Sequence, residues 1–412
     1  MSQRQPHDTL PREGDFDLVS LLLSLCAWHG EHGHDTDDAS RSLRAIQERM
    51  NAEIQGLASL MSGDEDRLRL SDLARWLEEN IARLEPLLSA RNTMLLPESW
   101  ASANPHSRLL DEGRVLVANA IGRDLDGAGV DGPLDPASDV ASLLVGLEVR
   151  DEGQLSHQAL DSYLRISGDY ELPRLLPVFR VIECLSGARR TLRRREEAGD
   201  DEQPALLAET MSACRRYLDL AERYTEFRFP PLVIGVGVAG SGKSRFTRTL
   251  VSRLGAIRLC SDVERRRLHG IHPQEEKKDV PVDIFSDTAT EKTYRRLAKD
   301  AGALLDAGLP VCIDGTCLKR EQRDLLRHQA EGRGLPVLLI SFEADEATLE
   351  RRITKRAARQ DVLAEESLAI LARQREAFED FSDEERLLLV RLDTTADNAA
   401  EILAGLIQEH VR

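Results

Sequence analysis

The chain has 412 residues and 72 acidic against 55 basic side chains, a formal net charge of −17. This length exceeds one ordinary domain and predicts two or three. The charge is uneven, because residues 1–230 carry 41 acidic and 26 basic side chains whereas residues 231–412 carry 31 and 29. Since Lys and Arg dominate binding to phosphate backbones, the acidic first half is unsuited to a nucleic-acid surface.

The longest apolar run, Leu18–Trp28, has 11 residues, about half of what a membrane span requires. It predicts a core helix and no membrane segment. The six cysteines form no C-x-x-C pair, and the N-terminus has no signal-peptide pattern. These features predict a cytoplasmic protein.

Three helical patterns lie between residue 15 and about residue 90, the first opened by an Asp capping signal and the third by Ser71 and Asp72. Residues 104–136 are rich in Gly, Asp and Pro around one strand candidate, Arg114–Ile121. From Ser138 onward four more helical segments follow. We therefore predict a helical region over 1–103 and a helical domain over 104–230, which together form one unit.

Phe227–Leu232 contains two prolines and marks the boundary to a second domain, residues 231–412. There, five apolar segments alternate with helical stretches: "LVIGVGV", "AIRLC", "PVCID", "PVLLISF" and "LLLVRLD". This alternation predicts an α/β domain with a parallel sheet between helices, whose ligand lies beyond the carboxyl ends of the strands.

Residues 237–244 match G-x-x-x-x-G-K-[ST] between the first of these strands and a helix. In such a loop, glycines let backbone N–H groups surround phosphate oxygens, the lysine reaches the β- and γ-phosphates, and the Ser hydroxyl ligates Mg²⁺. The pattern predicts an ATP and Mg²⁺ site with Ser244 as metal ligand. The predicted nucleotide-binding residues are Gly237, Gly240, Ser241, Gly242, Lys243, Ser244 and Arg245.

Phosphoryl transfer also needs a base near the acceptor, an acid that orders the metal, and cations over the transferring group. Asp262 and Arg265 follow the second strand and share a helix face, as a base and a substrate-binding cation would. A helix-capping Asp beside solvated arginines would give the same pattern. Asp314 ends the third strand, where an acid can organise Mg²⁺ through water or contact the acceptor; the alternative is a buried turn Asp.

Arg352 and Arg356 lie one turn apart on an arginine-rich helix. In a kinase this helix would be a lid that brings positive charge to the γ-phosphoryl group. The alternative is an arginine-rich solvated face, which is common on helices.

Residues 231–400 resemble the P-loop kinases of the polynucleotide-kinase and zeta-toxin-like (AAA_33-type) group. The matching stretches are "GSGKS", "SDVERRRL", "FSDTATEKTYRRL", "VCIDGTCLKREQR", "FEADEATLERRITKRAAR" and "RLDTT". The resemblance is strongest to the kinase half of bifunctional aminoglycoside-phosphotransferase-like/ATP-binding proteins. It implies Asp262 as general base, Arg265 as its partner, Asp314 in the acceptor or metal site, and Arg352 and Arg356 in the lid. It does not fix the acceptor.

Residues 134–192 resemble the helical C-lobe of the other, aminoglycoside-phosphotransferase-like half in a degenerate form. The H-G-D-x-x-x-x-N loop is missing, Asn119 stands where that family has a metal-binding Asp, and residues 1–230 contain no lysine. In kinase-like folds a lysine on a strand binds the ATP phosphates, and Arg cannot readily replace it. The first half is therefore predicted to be an inactive scaffold or recruiter.

Cys26, His29, His32 and His34 lie within nine residues and are of zinc-ligand types. Their spacing matches no finger, and a polar helix end explains them better than a metal site does.

The leading hypothesis is a kinase that phosphorylates a hydroxyl of a small molecule, a nucleotide or a nucleic-acid 5′ end, with nucleic acid not favoured. The rival is a nucleotide-binding regulatory module without a dedicated acceptor. The sequence fixes neither the oligomeric state nor the choice of ATP over GTP.

Overall fold

The computed structural model describes residues 14–33, 39–91, 94–118, 134–197, 204–272, 282–360 and 363–410. The chain divides into two compact units. The first unit comprises Met1–Tyr163 and Leu175–Glu226, and the second comprises Leu164–Arg174 and Phe227–Arg412. The second unit is thus built from two separate stretches of chain, whereas the sequence pattern places one boundary at residue 231.

The first unit is mainly helical. Its helices are α1 (Leu18–His32), α2 (Ala39–Leu60), α3 (Asp64–Ile81), α4 (Glu85–Ala90), α5 (Trp100–Ala103), α6 (Ala137–Glu148), α7 (Gly153–Ser167), α8 (Leu176–Glu197) and α9 (Pro204–Thr225). The end of α7 already belongs to the second unit. Among the described residues, no helix combines the length and the apolar character that crossing a membrane requires.

Helix α1 follows the sequence prediction, because the Asp17 carboxylate accepts a hydrogen bond from the Ser20 amide at 2.8 Å and caps the helix. The predicted start of α3 is wrong. The helix begins at Asp64, so Ser71 and Asp72 lie in its interior. The acidic first turn of α3 explains the earlier start, since carboxylates stabilise a helix N-terminus.

A small sheet completes the first unit. It contains β1 (Asp15–Phe16), β2 (Arg108–Asp111) and β3 (Arg114–Ala118) in that spatial order. Only β3 was predicted from the sequence, and its predicted continuation to residue 121 lies outside the described residues, as does Asn119.

The second unit contains all five predicted strands: β4 (Leu232–Val236), β5 (Ile257–Cys260), β6 (Val311–Asp314), β7 (Val337–Glu343) and β8 (Leu389–Asp393). Its helices are α10 (Lys243–Leu254), α11 (Ser261–Leu268), α12 (Asp287–Asp306), α13 (Arg320–Glu331), α14 (Glu346–Gln360), α15 (Ala364–Glu376), α16 (Asp383–Leu387) and α17 (Ala399–His410). This parallel sheet flanked by helices fits the P-loop kinase fold.

The strand order β5-β6-β4-β7-β8 places β4 at the centre, and every pair is parallel. Gly235 of β4 and Cys260 of β5 both stand beside Asp314 of β6. Strand β4 lies between β6 and β7, which both follow it in the sequence. The strand order therefore reverses beside β4, and such a reversal creates a ligand crevice at the carboxyl edge of the sheet. The residues after β4, β5 and β6 therefore meet at one edge.

Buried apolar side chains hold helices against this sheet. Phe246 and Leu250 of α10 and Leu403 of α17 form one cluster with Val233 and Ile340 of the strands. Helices α12 and α13 also contact the sheet, α12 at β5 and β6 and α13 at β4 and β7. Burial of such side chains stabilises each helix by about 1.5–3 kcal/mol per residue.

Arg323 of α13 is a fully buried arginine that joins two loops at the carboxyl edge. Its Nε donates to Glu385 Oε1 at 2.5 Å, and neither side chain is exposed to solvent. Its Nη1 donates to the carbonyls of Cys317 and Leu318 at 3.2 and 2.9 Å, and its Nη2 donates to the carbonyl of Glu379 at 3.1 Å. One guanidinium thus fixes the loop after β6 against the segment before α16.

We expect Arg323→Met to destabilise the second unit by about 3–5 kcal/mol, because it leaves the Glu385 carboxylate buried without its cation. The measurement is hydrogen exchange of the β6 and α13 amides. Arg333→Met is the matched control, since its ion pair with Asp306 is partly exposed and such pairs contribute about 0–1 kcal/mol. Equal effects of the two substitutions would contradict the assignment.

Candidate functional site

The loop after β4 can form only because glycines occupy its tight positions. Gly237 has φ +152°, and a Cβ there would lie 2.8 Å from the Phe342 carbonyl oxygen and 2.8 Å from the Ser241 hydroxyl. Gly240 has φ +79°, and its Cβ would lie 3.1 Å from the side chain of Ile353. Gly242 has φ +95° and precedes the first residue of α10. The loop therefore ends at a helix N-terminus, which attracts anions.

Lys243 lies inside this loop. Its ammonium donates to the carbonyls of Gly237 and Val238 at 2.7 and 2.9 Å and to the Ser241 hydroxyl at 3.3 Å. Burial lowers the pKa of Lys243 to about 8, although the nearby Asp314 raises it in part. Arg245, from the same predicted set, is exposed and its guanidinium lies 5.7 Å from the ring centre of Phe246.

Ser244 and Asp314 meet at the carboxyl edge of the sheet. The Ser244 hydroxyl donates to Asp314 Oδ1 at 3.3 Å. Asp314 Oδ2 is buried with no hydrogen-bond partner among the described residues, and its nearest ion-pair contact is Arg258 Nη1 at 3.7 Å. A buried carboxylate oxygen without a hydrogen bond is costly unless a cation compensates it. This hydroxyl and carboxylate are the hard oxygen ligands that Mg²⁺ prefers, so the residues fit the ion.

Asp262 and Arg265 stand on α11 as predicted, but they have different partners. The Asp262 carboxylate is half exposed and pairs with Arg266 Nε at 3.3 Å. Arg265 Nη1 donates instead to the Ile284 carbonyl and the Thr290 hydroxyl, each at 2.9 Å. Partial burial lowers the pKa of Arg265. The structure therefore places a solvent-accessible carboxylate and an oriented guanidinium on one short helix.

The two predicted lid arginines also differ. Arg352 joins the phosphate loop to the chain after β8, since its Nη1 donates to the Gly240 carbonyl at 3.2 Å and to the Thr394 hydroxyl at 3.0 Å. Arg356 is exposed, and its charge is among the groups that lower the pKa of Lys243. Arg356 thus lies within electrostatic range of the lysine, whereas Arg352 already has a structural role.

Sequence reasoning missed Gln374 of α15. Its Oε1 accepts a hydrogen bond from the backbone amide of Ala239, inside the phosphate loop, at 2.7 Å. A buried cluster that includes Leu349, Ile353 and Leu371 holds α14 and α15 together beside this loop. Helical spacing could reveal this apolar cluster, but no sequence signal connects a glutamine to an amide 135 residues away.

Sequence reasoning also missed Tyr294, which shapes the loop after β6. Its hydroxyl accepts from the Cys317 amide at 2.9 Å, and Cys317 has φ +47°, a left-handed conformation that is uncommon for residues other than glycine. The Thr316 carbonyl accepts from the Gly237 amide at 3.1 Å. The loop that follows Asp314 is therefore fixed from both sides.

The Cys–His stretch of the first unit has other partners. His29 is buried between the Tyr163 hydroxyl at 2.8 Å and Asp139 Oδ2 at 3.2 Å, and the His32 ring stacks on Trp28. His34 lies outside the described residues. The part of the chain that the structure describes contains no group of three or more His, Cys, Asp or Glu side chains that could hold a metal ion.

Part of this chain is similar to a known protein family and to two mycobacterial proteins. Residues 232–381 match the AAA_33 family model, which is described as an AAA domain. An uncharacterized protein of Mycobacterium tuberculosis H37Rv and one of Mycobacterium bovis are each 26% identical over 243 residues, which cover 58% of this chain and 47% of theirs. The chain thus spans about half the length of the curated relatives it matches.

Among solved structures, a gluconokinase from Sinorhizobium meliloti is 25% identical and covers 44% of this chain and 95% of its own, with a TM-score of 0.32. An APS kinase from Mycobacterium tuberculosis, solved with AMPPNP and APS, is 22% identical and covers 44% of this chain and 98% of its own, with a TM-score of 0.33. The family match and the phosphate loop together identify residues 232–381 as an AAA_33 P-loop domain.

Proposed function

We propose that this protein is an ATP- and Mg²⁺-dependent kinase that transfers the γ-phosphoryl group to a hydroxyl. The observation that carries the proposal is Asp314, whose Oδ1 accepts a hydrogen bond from the Ser244 hydroxyl and whose buried Oδ2 has no hydrogen-bond partner among the described residues. Ser244 and Asp314 would hold Mg²⁺, Asp314 directly or through water. When bound, the ion neutralises charge that develops on the phosphates.

The chain's own residues would divide the remaining work. Lys243 binds the β- and γ-phosphates, and the amides of the phosphate loop surround their oxygens. Asp262 accepts the proton of the acceptor hydroxyl, and Arg265 orients the acceptor or its phosphate. Arg356 brings positive charge to the transferring group. The exposure of Asp262 supports this role, because an acceptor base must be open to its substrate.

The acceptor is a small molecule, a nucleotide or a nucleic-acid 5′ end. The acidic first half favours the first two, since a nucleic acid would be repelled by that charge. We further propose that the first half is a degenerate aminoglycoside-phosphotransferase-like scaffold or recruiter. The absence of lysine from residues 1–230 supports this proposal.

A second candidate is a nucleotide-binding regulatory module without an acceptor. The Asp262–Arg266 ion pair favours it, because a half-exposed carboxylate paired four residues along a helix is also what a solvated helix surface presents. The two functions differ in one measurable way. A regulatory module needs the phosphate loop but no acceptor base.

The test is a transfer assay with γ-labelled ATP, Mg²⁺ and a panel of sugars, nucleosides, nucleotides and oligonucleotides with 5′ hydroxyls. Label recovered in one acceptor class supports the kinase and names its substrate. ATP binding without labelling of any acceptor favours the regulatory module.

Lys243→Ala should abolish transfer and weaken ATP binding while the fold persists, because it removes the cation from the phosphate loop. The measurements are labelled-product formation and calorimetric ATP binding. Unchanged transfer in this variant would refute the site assignment.

Asp262→Asn should keep the ATP affinity but lower transfer by roughly 10²–10⁴, the usual contribution of a general base. We expect the loss of transfer to lie nearer the lower end of this range, because the acceptor proton leaves late in a loose transition state. Arg356→Ala is the contrasting variant and should slow both transfer and background ATP hydrolysis. If Asp262→Asn loses ATP binding as Lys243→Ala does, Asp262 belongs to the metal site instead.

Nucleotide binding should take up a proton near pH 8. Lys243 has a pKa of about 8 in the free protein, and a bound triphosphate favours its charged form and raises that pKa. Affinity should therefore fall as the pH rises above 8. Calorimetry of AMPPNP binding at pH 8 in two buffers of different ionisation enthalpy measures the uptake. Lys243→Arg is the control, since arginine stays charged and takes up no proton.

A further inference from the structure

The second unit includes a short segment, Leu164–Arg174. This segment precedes the rest of the unit, Phe227–Arg412, by more than fifty residues; that larger part is called the phosphate-loop domain below. This segment includes the end of α7 and turns at Gly168, where φ is +74°. A Cβ at Gly168 would lie 2.5–2.9 Å from the guanidinium of Arg267, which belongs to α11. Glycine permits the positive φ of this turn and leaves the Arg267 guanidinium in its present position.

The Arg267 side chain binds the backbone of this segment. Its Nη2 donates to the Arg165 carbonyl at 2.7 Å and its Nη1 to the Ile166 carbonyl at 3.4 Å. The last carbonyls of a helix lack partners within that helix, so a guanidinium at this position satisfies them. One side chain of α11 therefore caps the end of α7.

Glu264 of α11 completes the contact. Its carboxylate is fully buried and accepts hydrogen bonds from the Tyr170 hydroxyl at 2.9 Å and from Arg267 Nε at 3.1 Å. Burial, and then the Glu264 charge, raise the pKa of Tyr170, so this phenol remains a donor. A buried carboxylate is costly unless it is paired and hydrogen-bonded. Glu264 thus depends on a tyrosine from the distant segment.

Helix α12 supports the same contact. Arg296 Nε donates to Asp300 Oδ2 at 2.7 Å, and its Nη2 donates to the Gly168 carbonyl at 3.4 Å. Burial raises the pKa of Asp300 to about 6, with the Glu264 charge adding to the shift. The segment is therefore held by two helices of the phosphate-loop domain.

Helix α11 has only eight residues, and an isolated helix of that length is unstable in water. Its position must come from tertiary contacts. Successive side chains are rotated by about 100° around a helix, so Glu264 stands about 200° from Asp262 and about 100° from Arg265. A contact that fixes Glu264 therefore fixes the direction of the two residues assigned to the acceptor.

We propose that Tyr170, Glu264 and Arg267 are positioning residues through which the Leu164–Arg174 segment orients α11 for acceptor binding. The orientation of the acceptor residues rests on the proposed kinase function, whereas the docking of the segment on α11 does not. The Leu164–Arg174 segment then completes the acceptor side of the phosphate-loop domain, although it precedes that domain in the sequence.

The test uses Tyr170→Phe in the full chain, which removes only the hydroxyl that Glu264 accepts from. Amide exchange across Ser261–Leu268 should accelerate by about tenfold, because a hydrogen bond to a buried charge is lost. Exchange in β4 and β6 should stay unchanged, and AMPPNP affinity should change by less than about twofold, because none of the contacts that the structure describes for Tyr170 or Glu264 involves the phosphate loop. With an acceptor found in the transfer assay, its KM should rise.

Glu171→Gln is the matched control in the same segment, because Glu171 is partly exposed and pairs only with Arg174 among the contacts that the structure describes. It should leave the exchange of α11 unchanged. Glu264→Gln should reproduce the Tyr170→Phe effect, and Tyr170→Phe should add less than about twofold in that background, because the two act through one contact.

Unchanged exchange of α11 in both Tyr170→Phe and Glu264→Gln would overturn the proposal. A uniform increase across the whole second unit would also overturn it, since it would show a general loss of stability. If the wild-type chain transfers phosphate to no acceptor, the kinase function fails, but the exchange result still decides whether the segment positions α11.

Discussion

The close approach of the chain at Gly237 is the constraint on which the rest of the site depends. Because the Phe342 carbonyl and the Ser241 hydroxyl leave no room for a side chain there, the loop can turn sharply at the end of the central strand. The carbonyls of Gly237 and Val238 then face the Lys243 ammonium. The same turn brings Ser244 beside Asp314 on the neighbouring strand. The residues proposed to bind phosphate and those proposed to bind the metal thus share one backbone geometry.

The sequence predicted local and periodic features well. Each of the five strands carries an apolar run, and the glycine pattern after β4 has a direct steric cause, so both could be found without coordinates. The place of Asp314 followed from one rule, since the carboxyl ends of parallel strands meet at one edge. The start of α3 was missed because a capping signal inside a helix looks the same as one at its beginning.

Long-range polar contacts could not be predicted. Spacing put Asp262 and Arg265 on one face, but Arg265 instead donates to Ile284 and Thr290, which lie beyond residues 273–281. Gln374, Tyr170 and Arg323 act through contacts with partners that are distant in the chain, and neither composition nor periodicity marks such residues. Their roles depend on burial, which gives a hydrogen bond or ion pair its energetic weight.

The discontinuity of the second unit has a consequence for synthesis on the ribosome. The Leu164–Arg174 segment emerges well before α11, whose last residue, Leu268, follows Arg174 by 94 positions. At about 5–20 residues per second, this interval is about 5–20 s. During that time Tyr170 has no Glu264 to bind. The second unit therefore closes late, onto a segment that was made early.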